Sequence, residues 1–432
     1  MIWLNRREIK EKIYNRIVHF SGTTKEEENI HTEMVSKCSE GNIESIKYIK
    51  NLIGEYLKEE NAYTDELMNE IFSENYGAGI IDKYETNDID EIIVIGKKVL
   101  LKKQGDVIEV PEKFNSYDEV EAVAHRITSY DKIKDLNKHN PLASGERADG
   151  ARIQVAIPYI ARCPILNIRY FDSFVPTPEN MIKSETFTER EVEILSMAVK
   201  GGANIFVIGG PETGKTSTVK WLIKYLNDKF IIGLLETDFE MNPELLYPHK
   251  HFISLREREG YSLKDLFAVQ LRQSIDLAIL TETRRKETNE LIDAMTRGMN
   301  GSMGTGHITG ADNVPDVLTY MIMEGNSNIL FNAKRNQVAD AIDIVIEMKK
   351  LPENEKGQRK KICGGIYELI AKGENVRHET IPLSKLIINK EQPHKSRDRF
   401  YGNTLSDKLK NKYNENGIKM SYINEFFPGE SR

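Results

Sequence analysis

A mainly parallel α/β sheet built around a phosphate-binding loop is the fold class this sequence predicts, and three observations predict it. The first is the run Gly209, Gly210, Pro211, Glu212, Thr213, Gly214, Lys215, Thr216 and Ser217, which fits the spacing G-x-x-x-x-G-K-[ST] in full. The second is its setting. An apolar, β-branched segment of strand length, 203–208, precedes the run, and Val219, Leu222, Ile223 and Leu226 follow it at helical spacing. The third is the alternation downstream: strand patterns at 230–235, 251–255 and 277–281 are separated by helical patterns at 263–273 and 287–297. Strands alternating with helices pack as a parallel sheet covered on both faces.

The loop carries its own chemistry. Glycines let backbone N–H groups turn inward around an anion, and the helix N-terminus adds partial positive charge. Lys215 would reach the β- and γ-phosphates, and the Thr216 hydroxyl would hold Mg²⁺. ATP and Mg²⁺ are therefore the expected ligands.

Composition narrows the setting. A chain of 432 residues is too long for one core, so two or three domains are expected. A net charge of −7 argues against a dedicated nucleic-acid binder, whose footprint is strongly basic. No apolar run approaches the ~18–20 residues of a membrane span, and the N-terminus turns charged at Arg6 and Arg7 with no signal-peptide pattern. Cys38, Cys163 and Cys363 lie far apart and read as reduced, cytosolic packing residues.

In chain order, residues 1–60 are polar, with Ile46, Ile49, Leu52 and Ile53 on one helical face, and read as a helical extension. Residues 61–176 read as a small α/β domain. Its helix from 64 carries Leu67, Ile71 and Phe72, its strands fall at 89–96, 98–106, 149–158 and 164–171, and its second helix spans 116–130. The stretch 175–178 (Val-Pro-Thr-Pro) is a stiff linker. Residues 177–385 form the phosphate-loop domain. It opens with a capping box at Thr188 and Glu191, and it continues past the sequence's alternating core with helices at 314–324 and 332–341 and strands at 342–348 and 363–370. The basic turn 357–361 reads as a solvated hairpin tip. Residues 386–432 are lysine-rich with few apolar positions, and partial order is expected there.

Three further stretches carry chemistry. The apolar strand 277–281 runs into Glu282, and a second strand ending in a carboxylate beside the phosphate loop makes Glu282 the candidate general base and a metal neighbour. The strand before it ends in Glu236, with Asp238 and Glu240 following; two carboxylates four apart are candidates for the metal's surroundings, or else a solvated turn. The stretch 298–307 holds four glycines in ten residues and closes on His307, so it reads as a sharply bent loop.

Taken in order, the glycine loop, the acidic strand end, Thr281 to Arg284, and Gly301 to His307 resemble the ATPases of type II and type IV secretion systems, most closely the CpaF/TadA branch of pilus assembly. Segments 89–96, 148–158 and 164–171 are similar to that family's upstream strands, so the resemblance covers residues 62–370. It implies a RecA-like ATPase domain preceded by a smaller α/β domain, six subunits in a ring, and a cytoplasmic location at the inner membrane face through a membrane platform protein. It implies ATP hydrolysis that powers pilus assembly or protein secretion, with Lys215 and Thr216 as the Walker A pair and Glu282 as the Walker B glutamate. Glu236 and Glu240 would fall in its acidic box and His307 in its histidine box. Arg147, Arg152 and Arg169 match arginines through which the N-terminal domain reaches the nucleotide, and Arg272 and Arg284 match arginines of the ATPase domain. The sequence departs from the pattern at Thr237, Thr281 and 308–310. Two rival readings are a conjugation-associated nucleic-acid motor and a ring subunit that binds nucleotide without hydrolysing it. Direct DNA binding is not expected.

Overall fold

The computed structural model describes residues 6–429 except 40–41, 86–88, 104–105, 129–135, 148–150, 171–174, 259, 284–286, 325–329, 356 and 358. The chain forms two compact units, Met1–Phe174 and Val175–Arg432.

The first unit begins with four helices, Arg6–Val18, Lys25–Ser39, Ile43–Glu59 and Asp65–Asn75. The third has the largest apolar face, with Ile49, Ile53 and Leu57 fully buried. Its stripe packs with Ile13, Ile17, Leu67, Ile71 and Phe72 into one cluster. The helix Asp65–Asn75 thus shares the core of the three before it, so the helical part runs past residue 60. An antiparallel sheet follows, made of β1 (Glu91–Ile95), β2 (Lys98–Lys103), β3 (Asp106–Lys113), β4 (Leu142–Glu146), β5 (Arg152–Ala156) and β6 (Ile165–Arg169), in the order β3-β2-β1-β6-β5-β4. The helix Tyr117–Thr128 covers it through Val120, Val123, Ala124 and Ile127. The two outermost strands, β3 and β4, had no clear sequence signal. In β3 only Val110 is buried, so the edge strand shows almost no alternation of apolar and polar residues.

The second unit is a nine-stranded sheet. Its strands are β7 (Ile205–Gly209), β8 (Ile231–Glu236), β9 (His251–Arg256), β10 (Leu277–Leu280), β11 (Met303–Gly306), β12 (Ile344–Lys350), β13 (Lys361–Ile370), β14 (Glu379–Leu386) and β15 (Arg399–Tyr401). Their order is β15-β14-β13-β12-β7-β11-β10-β8-β9. From β9 to β12 the neighbours are parallel; β13, β14 and β15 add antiparallel. The inner strands are buried along their whole length, as a sheet covered on both faces requires. The capping box at Thr188 and Glu191 is formed in both directions.

Two expectations are corrected here. The glycine density predicts a loop over 298–307, yet Met303–Gly306 is a buried strand between β10 and β7. Its glycines serve packing: a Cβ on Gly304 would stand 2.7 Å from the Phe206 ring and 2.8 Å from Leu291. Residues 386–432, expected to be only partly ordered, hold β15 and the helices Asp407–Glu415 and Met420–Phe426. Their few apolar residues are spent efficiently, since Leu405, Leu409, Tyr413, Ile423 and Phe427 are all buried. Lys412 also pairs with Asp343 at 2.6 Å, and Arg399 donates to the fully buried Glu191 at 2.9 Å.

Candidate functional site

Parallel strands deliver their carboxyl ends to one edge of the sheet, and that edge carries the site. In register, Ile208 of β7 lies beside Gly306, Gly209 beside Met348, and Leu280 beside Leu235. Gly209, Glu236, Glu282 and His307 therefore stand at or just beyond adjoining strand ends.

The phosphate loop is specified by its backbone. Gly209 has φ +149°, and a Cβ there would lie 2.4 Å from the Met348 carbonyl oxygen, so no other residue fits. Glu212 is left-handed at φ +55° and Gly214 at φ +95°. The Thr213 hydroxyl donates to the Gly210 carbonyl at 2.9 Å and closes the turn. The helix Lys215–Leu222 then starts from Gly214 with no side-chain cap, which leaves its first N–H groups to an anion. These features fit a polyphosphate.

Lys215 is only 7 % exposed. Its Nζ donates to the carbonyls of Gly209 at 3.1 Å and Gly210 at 2.9 Å, and lies 3.3 Å from His307 Nδ1. Burial lowers its pKa below the ordinary lysine value; the Glu282 and Glu240 carboxylates oppose the shift and the Lys350 charge adds to it. His307 follows β11 directly and reaches Glu282 Oε1 from Nε2 at 3.6 Å. An ammonium can only donate, so Nδ1 accepts from Lys215 and the ring N–H faces the Glu282 carboxylate. The residues around Glu282 are pinned: Thr305 Oγ1 donates to the Thr281 carbonyl, and Thr283 donates to the Thr305 carbonyl through both N–H and hydroxyl at 2.9 Å.

Other sequence candidates have different surroundings. Glu236 is 1 % exposed, and its Oε1 accepts the N–H groups of Glu240 (2.9 Å) and Met241 (3.0 Å). It braces the turn that carries Glu240, whose charge is felt at Lys215. Thr216 and Ser217 are half-buried in the first helical turn. Arg272 lies past the end of helix Leu263–Gln270, where the crossover returns toward the amino ends of the strands, so within this chain it is not part of the phosphate cradle. Arg284 lies outside the described residues. In the first unit, Arg147 makes a two-point pair with Glu85 (2.5 and 3.0 Å), and Arg152 and Arg169 face each other in register on β5 and β6. Sequence reasoning missed Lys350, which pairs with Glu212 of the phosphate loop at 3.0 Å; two lysines at a strand end were the only signal. Among the described residues no cluster of three His, Cys, Asp or Glu side chains is placed to hold a metal, and none forms a helix long and apolar enough to cross a membrane.

The family model described as type II/IV secretion system protein matches residues 143–381. The type IV secretion system protein VirB11 of Bartonella quintana is 25 % identical over 306 residues, covering 60 % of this chain and 84 % of that protein. The conjugal transfer protein TrbB of Rhizobium radiobacter is 22 % identical over 244 residues, covering 55 % and 70 %. Among solved structures, the pilus retraction motor PilT with bound ADP has a TM-score of 0.50 at 18 % identity, covering 66 % of this chain and 80 % of that one. The ATPase DotB of Yersinia pseudotuberculosis has a TM-score of 0.50 at 14 % identity, covering 71 % and 80 %. These likenesses are of fold: a RecA-like domain preceded by an N-terminal domain.

Proposed function

The chain belongs to the type II/IV secretion system protein family, and from that premise we propose that it is an Mg²⁺-dependent ATPase working as a homo-hexameric ring motor. The observation that carries this reading is the chain of contacts from Lys215 through His307 to Glu282 beside the glycine loop. Lys215 and the N–H groups of the first helical turn would bind the phosphates. Thr216 and Glu282 would hold Mg²⁺, which neutralises phosphate charge when bound. Glu282, with its flanking threonines fixed, orients the attacking water and accepts its proton, and His307 links that carboxylate to the lysine that senses the phosphate.

The motor's task, on this reading, is pilus assembly or protein secretion of the CpaF/TadA kind. It would act at the cytoplasmic face of a membrane through a platform protein, with Arg147, Arg152, Arg169, Arg272 and Arg284 as further candidate nucleotide-binding residues. The likeness to TrbB supports a second reading, a conjugation-associated motor. That reading expects DNA to stimulate turnover, whereas the first expects no response. Turnover of ATP by the purified protein with Mg²⁺ tests both. Glu282→Gln should lower kcat at least about a hundredfold and keep nucleotide binding; unimpaired turnover would remove Glu282 from its role.

A further inference from the structure

The β12–β13 hairpin places two lysines beside the phosphate loop. Lys350 and Lys361 are cross-strand partners at its turn end. Lys350 reaches Glu212, inside the loop, at 3.0 Å. The Lys361 side chain runs along Gly214, its Cδ 3.8 Å from where a Cβ on that glycine would lie. Of the basic run that ends the hairpin, Arg359 pairs with Glu353 and Lys360 with Glu185. Lys361 is exposed and has no ion-pair partner among the described residues. The Lys215 and Lys350 ammonium groups thus stand at one helix N-terminus, with the Lys361 side chain passing beside it, where the helix dipole already favours anions. Like charges placed at the positive end of a helix cost stability; Glu212 offsets that cost at Lys350, and Glu282 and Glu240 offset it at Lys215. The arrangement is favourable once a polyanion lies in the loop.

We propose that Lys350 and Lys361 are phosphate-binding residues of the nucleotide site, taking the flank of a nucleoside di- or triphosphate opposite Glu282 and His307. The sheet order fixes that flank: β12 adjoins β7 on one side, and β11 and β10 lie on the other. Glu212 acts as the carboxylate that holds Lys350 until phosphate oxygens replace it. The inference rests on the phosphate-loop reading above and supplies part of the site's closing charge from this chain's own hairpin.

The test uses the full chain, with ADP and ATP affinities measured by calorimetry and steady-state turnover measured alongside. Lys350→Gln and Lys361→Gln should each weaken both nucleotides about tenfold, multiplying when combined. Lys361→Arg should restore affinity. Glu212→Gln should tighten binding, because it removes the competitor for Lys350. If Glu212→Gln instead weakens binding as much as Lys350→Gln, Lys350 merely braces the loop and its assignment falls. If Lys361→Gln binds normally while Lys215→Ala does not, the hairpin proposal fails and the phosphate-loop reading stands. If the parent protein binds neither nucleotide, the phosphate-loop reading itself fails. Both lysine positions are solvent-facing enough for a matched melting curve to exclude misfolding.

Discussion

The two glycine-rich stretches of the second unit, 209–214 and 298–306, look alike in sequence and do opposite things. In the first, Gly209 and Gly214 adopt positive φ and open the backbone toward a ligand. In the second, Gly304 lets a strand press against the Phe206 ring in the middle of the sheet. What separates Gly209 from Gly304 is what would meet an added Cβ and the sign of φ. Gly209 is excluded from substitution by a carbonyl oxygen, Gly304 by neighbouring side chains that can yield.

That contrast can be broken by substitution. The largest effect is expected at Gly209→Val, which should reduce ATP affinity at least about a hundredfold, since a fixed carbonyl cannot move aside; equilibrium binding would show it, and normal affinity would refute the cradle geometry. Next comes pH. Lys215 has a lowered pKa in the unliganded protein and must be charged to meet phosphate, so it binds a proton with the ligand once pH passes that lowered value. ATP affinity should then fall about tenfold per pH unit, and the fall should begin below the ordinary lysine range. In Lys215→Arg the same titration should be flat. The linkage has the opposite sign for stability: between the lowered pKa and the unfolded value the unfolded chain holds more protons, so this group's contribution improves as pH rises through that window.

Gly304→Ala should cost roughly 1–3 kcal/mol of stability by overpacking, read as a lower melting temperature, with nucleotide affinity retained. Adding Phe206→Leu should recover part of the loss; no recovery would mean the glycine is needed for its backbone and not for packing. The smallest effect is expected at Gly298→Ala. No atom lies within 4 Å of its Cβ position, so only the φ of +101° opposes the change, at about 1 kcal/mol.

Much of this was legible because it is local. The loop 209–217, its flanking strand and helix, and the capping box at Thr188 follow from spacing within a few residues. The acid at Glu282 was legible as a strand end. What escaped depends on distant partners. Strand β11 has too few side chains to show a pattern and exists because Phe206 and Leu291 fill the space its glycines leave. The C-terminal helices look polar in composition, yet Tyr413 packs over Gly201, where an added Cβ would stand 2.2 Å from the ring. Lys350 became visible as a loop neighbour only when β12 was placed beside β7.

Lys215 donates to the carbonyls of its own loop at 2.9 and 3.1 Å. An arriving polyphosphate therefore exchanges one set of oxygens for another around the same ammonium, and the gain in binding is the difference between two solvated states. On the proposed reading, release of the nucleotide is correspondingly cheap, because the lysine has carbonyls to return to. Under the proposed motor function, this built-in counter-ligand trades tightness of binding for ease of release, through a contact that spans only Gly209 to Lys215.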